Sequence, residues 1–271
     1  MDCGIDTVAI SSDSANPTIG DTISVTVKAW YNDKRKEASA KVVLSRLTIP
    51  PLKAAVAFPG QNPVLDLNGA PLIDGNNHDY NGNLSSVSND LPGVAVHSTT
   101  DSVNIVQKLY NDKQEDHVIG FGGIPSVQVS TVDDPSIFID PITASADFHL
   151  AAGTYSSVIF GSKDAPVIVY GQGDLKFSGG VVGHGILVID GTLTLSGNFF
   201  WYGIVYVVGP SPEIFNSVGT NRIIGGVVLG GKDKTARLRG TADIKYSYEA
   251  VENVRNKTKS LLTMSLISWF E

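Results

Sequence analysis

Between Val169 and Val207 apolar residues return every six positions. One series runs Val169, Leu175, Val181, Leu187, Leu193, Phe199 and Val205. A second, two residues further on, runs Gly171, Phe177, Gly183, Ile189, Leu195, Trp201 and Val207. Side chains alternate across a strand, so residues two apart point the same way. Each six-residue unit therefore offers two inward residues and then turns. Three units close a coil of about 18 residues, and the longer period shows by itself. "GDLKFSGG" from Gly173 aligns with "GTLTLSGN" from Gly191, and Gly185-Ile186 aligns with Gly203-Ile204. The pattern predicts a parallel β-solenoid over 155–246, each coil burying a face that is unstable alone.

The outward positions divide into two kinds. Ile168/Tyr170, Ile186/Val188 and Ile204/Tyr206 recur coil by coil, so one outer face is apolar and needs a cover. The next face carries Asp174/Lys176 and then Thr192/Thr194, which alternate with inward leucines as a solvated sheet face should. A later coil fits after a four-residue insertion: Gly225 to Leu229 resembles Gly203 to Val207, with Ala236, Leu238, Ala242 and Ile244 continuing inward. From Tyr248 to Leu262 the period becomes helical. Ala250, Val251, Val254, Leu261 and Leu262 share a face, with glutamates early and lysines late as the helix dipole favours. This helix is the candidate cover.

Upstream the texture is that of ordinary strands. "TVAISSDS", "DTISVTVKAWYN" and "ASAKVVLSRLTI", the last two joined by the polar loop Asn32 to Glu37, predict an antiparallel meander. The expected organisation is an N-terminal antiparallel sheet over 1–60, an irregular turn-rich region with short strands over 61–154, the solenoid over 155–246, and a C-terminal helix and final strand over 247–271. Within the second region Val94 to Leu109 reads as a short strand and a helical turn. The fold class is mainly β.

Composition agrees, since 28 glycines and 13 prolines punctuate short Val/Ile/Leu/Thr runs. A net charge of −7 with 20 thinly spread basic residues leaves no footprint for nucleic acid or an anionic membrane. The single cysteine, Cys3, sits in a terminus expected to fray and can build neither an internal disulfide nor a thiolate cluster. No apolar run is long enough to cross a bilayer as a helix, and Met1 to Gly20 lacks the basic and apolar regions of a signal peptide. Two readings follow: a cytoplasmic chain, or one whose targeting segment has been removed.

Candidate chemistry is sparse. His78, His97, His117, His149 and His184 show no close pairing suited to zinc. In "DGNNHDYNGN" the side chains of Asp74, Asn76, Asp79 and Asn81 offer the hard oxygen ligands that Ca²⁺ takes, although no glutamate stands where an EF-hand needs one, and the same residues dominate plain turns. Asp133, Asp134 and Asp140 precede prolines and read as turn acids, so no catalytic groove is expected and the chain is read as a non-enzyme. Of the four consecutive aromatics, Phe199 and Trp201 belong to the inward series. Phe200 and Tyr202 point outward, as a platform for a partner or as a surface covered by other parts of the chain.

"DLNG" at Asp66, "IDGNNHDYNGN" at Ile73, "GFGGIPSV" at Gly120, the solenoid glycines, "YSYEA" at Tyr246 and "SWFE" at Ser268 occur in this order. Together they resemble the exported part of PilX-like pilus-assembly proteins, minor-pilin-like surface proteins of bacteria. The resemblance implies an extracellular, non-catalytic role associated with type IV pili, with other pilus or cell-surface proteins as partners. Such proteins usually begin with a prepilin leader and a membrane-spanning helix, so membrane contact is expected only through an upstream helix that this sequence lacks. The alternatives are a self-polymerising β-helix of the bactofilin kind and a carbohydrate-binding or carbohydrate-active β-helix.

Overall fold

A computed structural model describes residues 3–12, 20–32, 34–46, 49–258 and 262–270. The chain divides into two compact units, one of 1–48 with 258–271 and one of 49–257. In the first, β1 (Cys3–Ser12), β2 (Thr22–Tyr31) and β3 (Lys34–Arg46) form the expected antiparallel meander. The β2–β3 connection is tighter than the expected Asn32–Glu37 loop, because Lys34 already pairs with Tyr31. Asn32 makes this turn at φ 50, in the left-handed region that asparagine tolerates.

The second unit holds, in chain order, β4 (Val56–Phe58), β5 (Val64–Gly69), β6 (Leu72–Asp74), β7 (Val94–Val96), α1 (Thr99–Asn111), β8 (Val118–Ile119) and β9 (Val127–Val129). After α2 (Ile139–Ala144) come β10 (Phe148–Tyr155), β11 (Ile159–Phe160), β12 (Val167–Ser178), β13 (Val181–Asp190), β14 (Leu193–Ser196) and β15 (Phe199–Val207). The unit ends with β16 (Glu213–Gly219), β17 (Asn221–Leu229), β18 (Thr235–Gly240), β19 (Asp243–Tyr246) and α3 (Tyr248–Thr258).

These strands form the parallel β-solenoid that the six-residue steps predict. Val169, Leu187 and Val205 stand in register on β12, β13 and β15, and all three are fully buried. Phe177, Leu195, Phe199 and Trp201 are buried equally. Corner glycines let neighbouring coils meet. Gly185, Gly203 and Gly225 stack in one column, and Gly203 has φ +133 with room for no Cβ, since one would lie 2.1 Å from the Gly185 carbonyl oxygen. The insertion falls after Gly209 and is held from inside: Lys234, buried, donates its ammonium to the carbonyls of Gly209, Pro210 and Ser211 at 2.8, 3.1 and 2.9 Å.

The solenoid is longer than 155–246, and its spatial order is not its chain order. Along the first face the strands run β10, β12, β13, β15, β17, β4, β7, β9. On the second they run β10, β12, β14, β16, β18, β5, and on the third β11, β13, β15, β17, β19, β6, β8. The region 61–154, expected to be irregular, thus supplies coils that stack beyond the last C-terminal one. Val56 also belongs here rather than to the N-terminal sheet. The inward columns continue without a break, Ala236 to Leu65, Leu238 to Leu67 and Ile244 to Ile73, all buried. Outside, Arg237 bridges Glu213 and Asp66, and Lys108 of α1 lies 3.7 Å from Asp66.

The apolar outer face is covered, as its composition requires. Ile168, Ile186, Val188 and Ile204 are fully buried and Tyr206 nearly so. The cover is shared among segments: Phe138 meets Tyr206 edge-on at 5.5 Å, α2 packs on β12, Leu52 lies over Gly226, and Val254 of α3 lies over Gly203. Ala250, Val251 and Val254 are the buried face of α3, as expected. The helix is shorter than Tyr248–Leu262, however. It ends at Thr258, and Leu262 starts β20 (Leu262–Phe270), which returns to the first unit and pairs antiparallel with β3; Leu261 lies outside the described residues. The stretch 262–270 is thus drawn into a sheet edge, where β3 pairs with its backbone.

Candidate functional site

The polar loop between β6 and β7 and the outward aromatics of β15, read separately in the sequence, meet on the third face of the solenoid. Tyr80 lies parallel to Tyr202 with ring centroids 5.1 Å apart and to His184 at 5.9 Å, and His184 stacks on Tyr202 at 4.7 Å. His184 and Tyr202 are neighbours because β13 and β15 pair in register at that position. Tyr80 reaches them from the loop and is itself buried. Its hydroxyl lies 2.8 Å from Nδ1 of His184. Burial holds the His184 pKa below its ordinary value and pushes Tyr80 up to about 12, so both are neutral near pH 7. Tyr80 then donates to Nδ1, which leaves the imidazole proton on Nε2.

A charged pair closes the arrangement. Lys163 sits 4.6 Å from the centre of the Tyr80 ring and donates to Glu249 at 2.8 Å. The other oxygen of Glu249 accepts the Tyr80 backbone N–H at 2.9 Å. These two contacts, Lys163 first, hold the Glu249 carboxyl below its ordinary pKa. Asn253 of α3 donates to the Lys163 carbonyl. Ser247 caps α3, its hydroxyl accepting from Ala250 and its carbonyl from Val251.

The loop has a polar core of its own. Asn77, 1% exposed, accepts the Tyr248 N–H at its side-chain oxygen and donates its amide to the Ser85 carbonyl, while its backbone N–H goes to Asp90. His78, 2% exposed, turns Nδ1 toward the carbonyls of Asn76 and Tyr246 and Nε2 toward Asp74 at 3.4 Å. Three acceptors around two ring nitrogens call for an imidazolium. Burial alone would lower the His78 pKa, but the Asp74 carboxylate and the two carbonyls outweigh it and hold the pKa above 6.5.

The four candidate calcium ligands fall into two successive turns. Asp74 is buried and spends its carboxylate on the Asn76 backbone and amide and on His78. Asp79 accepts from the backbone N–H groups of Asn81 and Asn83 and from the Asn83 amide. Asn76 is half-buried and Asn81 exposed. Among the described residues no three His, Cys, Asp or Glu side chains form a group able to hold a metal ion. Of the two candidate partner-binding residues, Tyr202 is inside the aromatic stack. Phe200, half-buried, stands between Val182 and Arg222 in the neighbouring column.

Sequence reasoning gave His184 no role beyond having no close pairing suited to zinc, and missed Tyr80, Lys163 and Glu249 as its companions. His184 could have been found, because it stands one coil before Tyr202. Tyr80 and Lys163 sit in segments without period, and nothing in their neighbourhood announces the stack. The turn acids do separate work. Asp134 caps the turn at Ser136 and accepts the Gly231 N–H, while Asp133 does neither. An open depression of about 680 Å³ is lined by the loop itself, through Asn76, Asn77, Ser85, Ser88 and Asp90, and Asp90 is the one carboxylate on it.

No known protein family matches the chain, and no curated protein matches it. Among solved structures, the crystal structure of the competence-associated pilin ComZ from Thermus thermophilus aligns over 99% of this chain and 87% of its own, with a TM-score of 0.28 and 11% identity. A TM-score that low carries no argument about fold or role.

Proposed function

We propose that this chain is a non-catalytic structural or assembly protein of the bacterial cell surface, associated with type IV pili. The observation that carries the reading is the clasp on the third face. Tyr80, His184, Tyr202, Lys163 and Glu249 are spent on one another in fastening a loop to a solenoid. A rigid, loop-bearing surface suits display and assembly rather than turnover. The ordered set of PilX-like motifs supports the setting. The test is to shear intact cells of the source bacterium and probe the pilus fraction, the envelope and the cytoplasm with an antibody to the purified chain. Recovery with sheared pili, and loss of piliation when the gene is deleted, is the expected result; confinement to the cytoplasm overturns it.

A further inference from the structure

The two ends of the solenoid are finished differently. At one end α1 lies where the next strand of the second face would go: its Ile105 and Leu109 are buried, Asp101 accepts the Asn62 N–H, and Lys108 faces Asp66. The strands beyond, β8 and β9, are two and three residues long. At the other end stands β10, eight residues long and paired on one side with β12. Among the described residues no strand pairs with its other side, and β11 likewise pairs only with β13. One β10 carbonyl, that of Ala151, accepts the Tyr155 hydroxyl at 2.9 Å.

Natural edges of this kind carry lysine, proline or inward charges that discourage pairing. Here the two edge strands and the turn between them, Phe148 to Phe160, read "FHLAAGTYSSVIF" and contain no Asp, Glu, Lys, Arg or Pro; the one irregularity of β10 is a register shift between Ala151 and Gly153. Ala151, Ala152, Gly153 and Thr154 are exposed, as are Phe148 and Ile159 at 41% and 73%. The end of the inward columns is aromatic: Phe148 meets Phe160 at 5.4 Å and Tyr155 meets Phe177 at 6.1 Å.

We propose that two copies of the chain join end to end through β10, laid antiparallel to its counterpart across a two-fold axis near Ala152. A second copy is the partner that the chemistry fits. In a chain of net charge −7, this uncharged pair of edge strands can meet itself without like-charge repulsion. Two-fold pairing gives each edge strand an edge strand and covers both Phe148 side chains. The end covered by α1 offers no matching edge, so this contact pairs two solenoids and does not propagate along them. The proposal does not depend on the pilus assignment.

Sedimentation equilibrium of the full chain tests it, together with an Ala151→Lys/Thr154→Lys variant whose exposed lysines charge the edge. The native chain is expected to approach twice its monomer mass as concentration rises, while the variant keeps the monomer mass at tenfold higher concentration with an unchanged thermal transition. In a Cys3→Ser background, Ala152→Cys is expected to form an intermolecular disulfide and Lys113→Cys, beside α1, is not. A native chain that stays monomeric, a dimer that the lysines leave intact, or cross-linking at position 113 rather than 152 overturns the proposal.

Discussion

Tyr80 and Tyr202 lie face to face, 5.1 Å between ring centroids and 5° between planes, although one comes from a turn-rich loop and the other from a central solenoid strand. The stack joins the loop to the face it covers, so removing the ring should release the loop more than it disturbs the coils. Tyr80→Ala is expected to cost about 3 kcal/mol or more, as for other buried aromatics. Tyr80→Phe should cost about 1 kcal/mol, leaving Nδ1 of His184 without its donor. Denaturant unfolding gives the totals. Hydrogen exchange should show faster opening over 75–93 in Tyr80→Ala while β13 and β15 stay protected.

His78 gives stability a defined pH dependence. Its folded pKa is raised above 6.5, so the folded state holds the proton more tightly than the unfolded chain. The contribution is fully present below pH 6.5 and is lost as pH rises through the folded pKa. A His78→Gln variant lacks the titration. The difference in unfolding free energy between native and variant protein, measured from pH 5.5 to 8.5, should therefore shrink as pH increases. A difference that is constant or grows would show that the ring is held neutral.

At Gly203 two demands coincide, a φ of +133 and a carbonyl where a side chain would begin. Gly203→Ala should destabilise by about 1–3 kcal/mol from backbone conformation alone, with the clash adding to it. Ser196→Ala, on the half-buried outer side of β14, should change stability by less than about 0.5 kcal/mol. Thermal unfolding of the pair separates a corner requirement from general sensitivity of the coil.

Lys234 satisfies three carbonyls of the inserted turn. Lys234→Met keeps much of the side-chain length but no donor, and should cost about 2 kcal/mol or more through carbonyls left without a partner. The damage should be local, and protease cleavage near Pro210–Glu213 is the measurement that reports it.

What the sequence made legible follows from repetition. Val169, Leu187 and Val205 recur at fixed distance because each buries itself on the one before, and the pairing of Gly203 with Gly225 survives an insertion because the corner glycine is still needed. Repetition is also why the far coils were missed. Val56–Phe58, Leu72–Asp74 and Val94–Val96 are three-residue strands, the first two parted by β5 and the last two by the loop 75–93, so the columns they join have no period along the chain. The end of α3 was misplaced for another reason: Leu262 continues a helical pattern, but pairing with Arg46 on β3 decides its state. Within the candidate site, Tyr202 was visible as an outward aromatic, whereas Tyr80 acquires its role only through the fold.

The stacking of Val56 against Val227 sets the order in which the molecule can be completed. During synthesis the coils containing Val56–Asp74 and Val94–Val129 emerge early, yet the surface they stack on is made only near the end. Until then Leu65 and Leu67 have no adjoining strand and Ile73 has one on a single side, at Val118, and their closure waits on contacts of long sequence separation, which form slowly. A stalled ribosome or a premature stop before Thr235 would leave those early coils as adhesive orphans. The unfinished protein should therefore be a far better client for chaperones than the finished one.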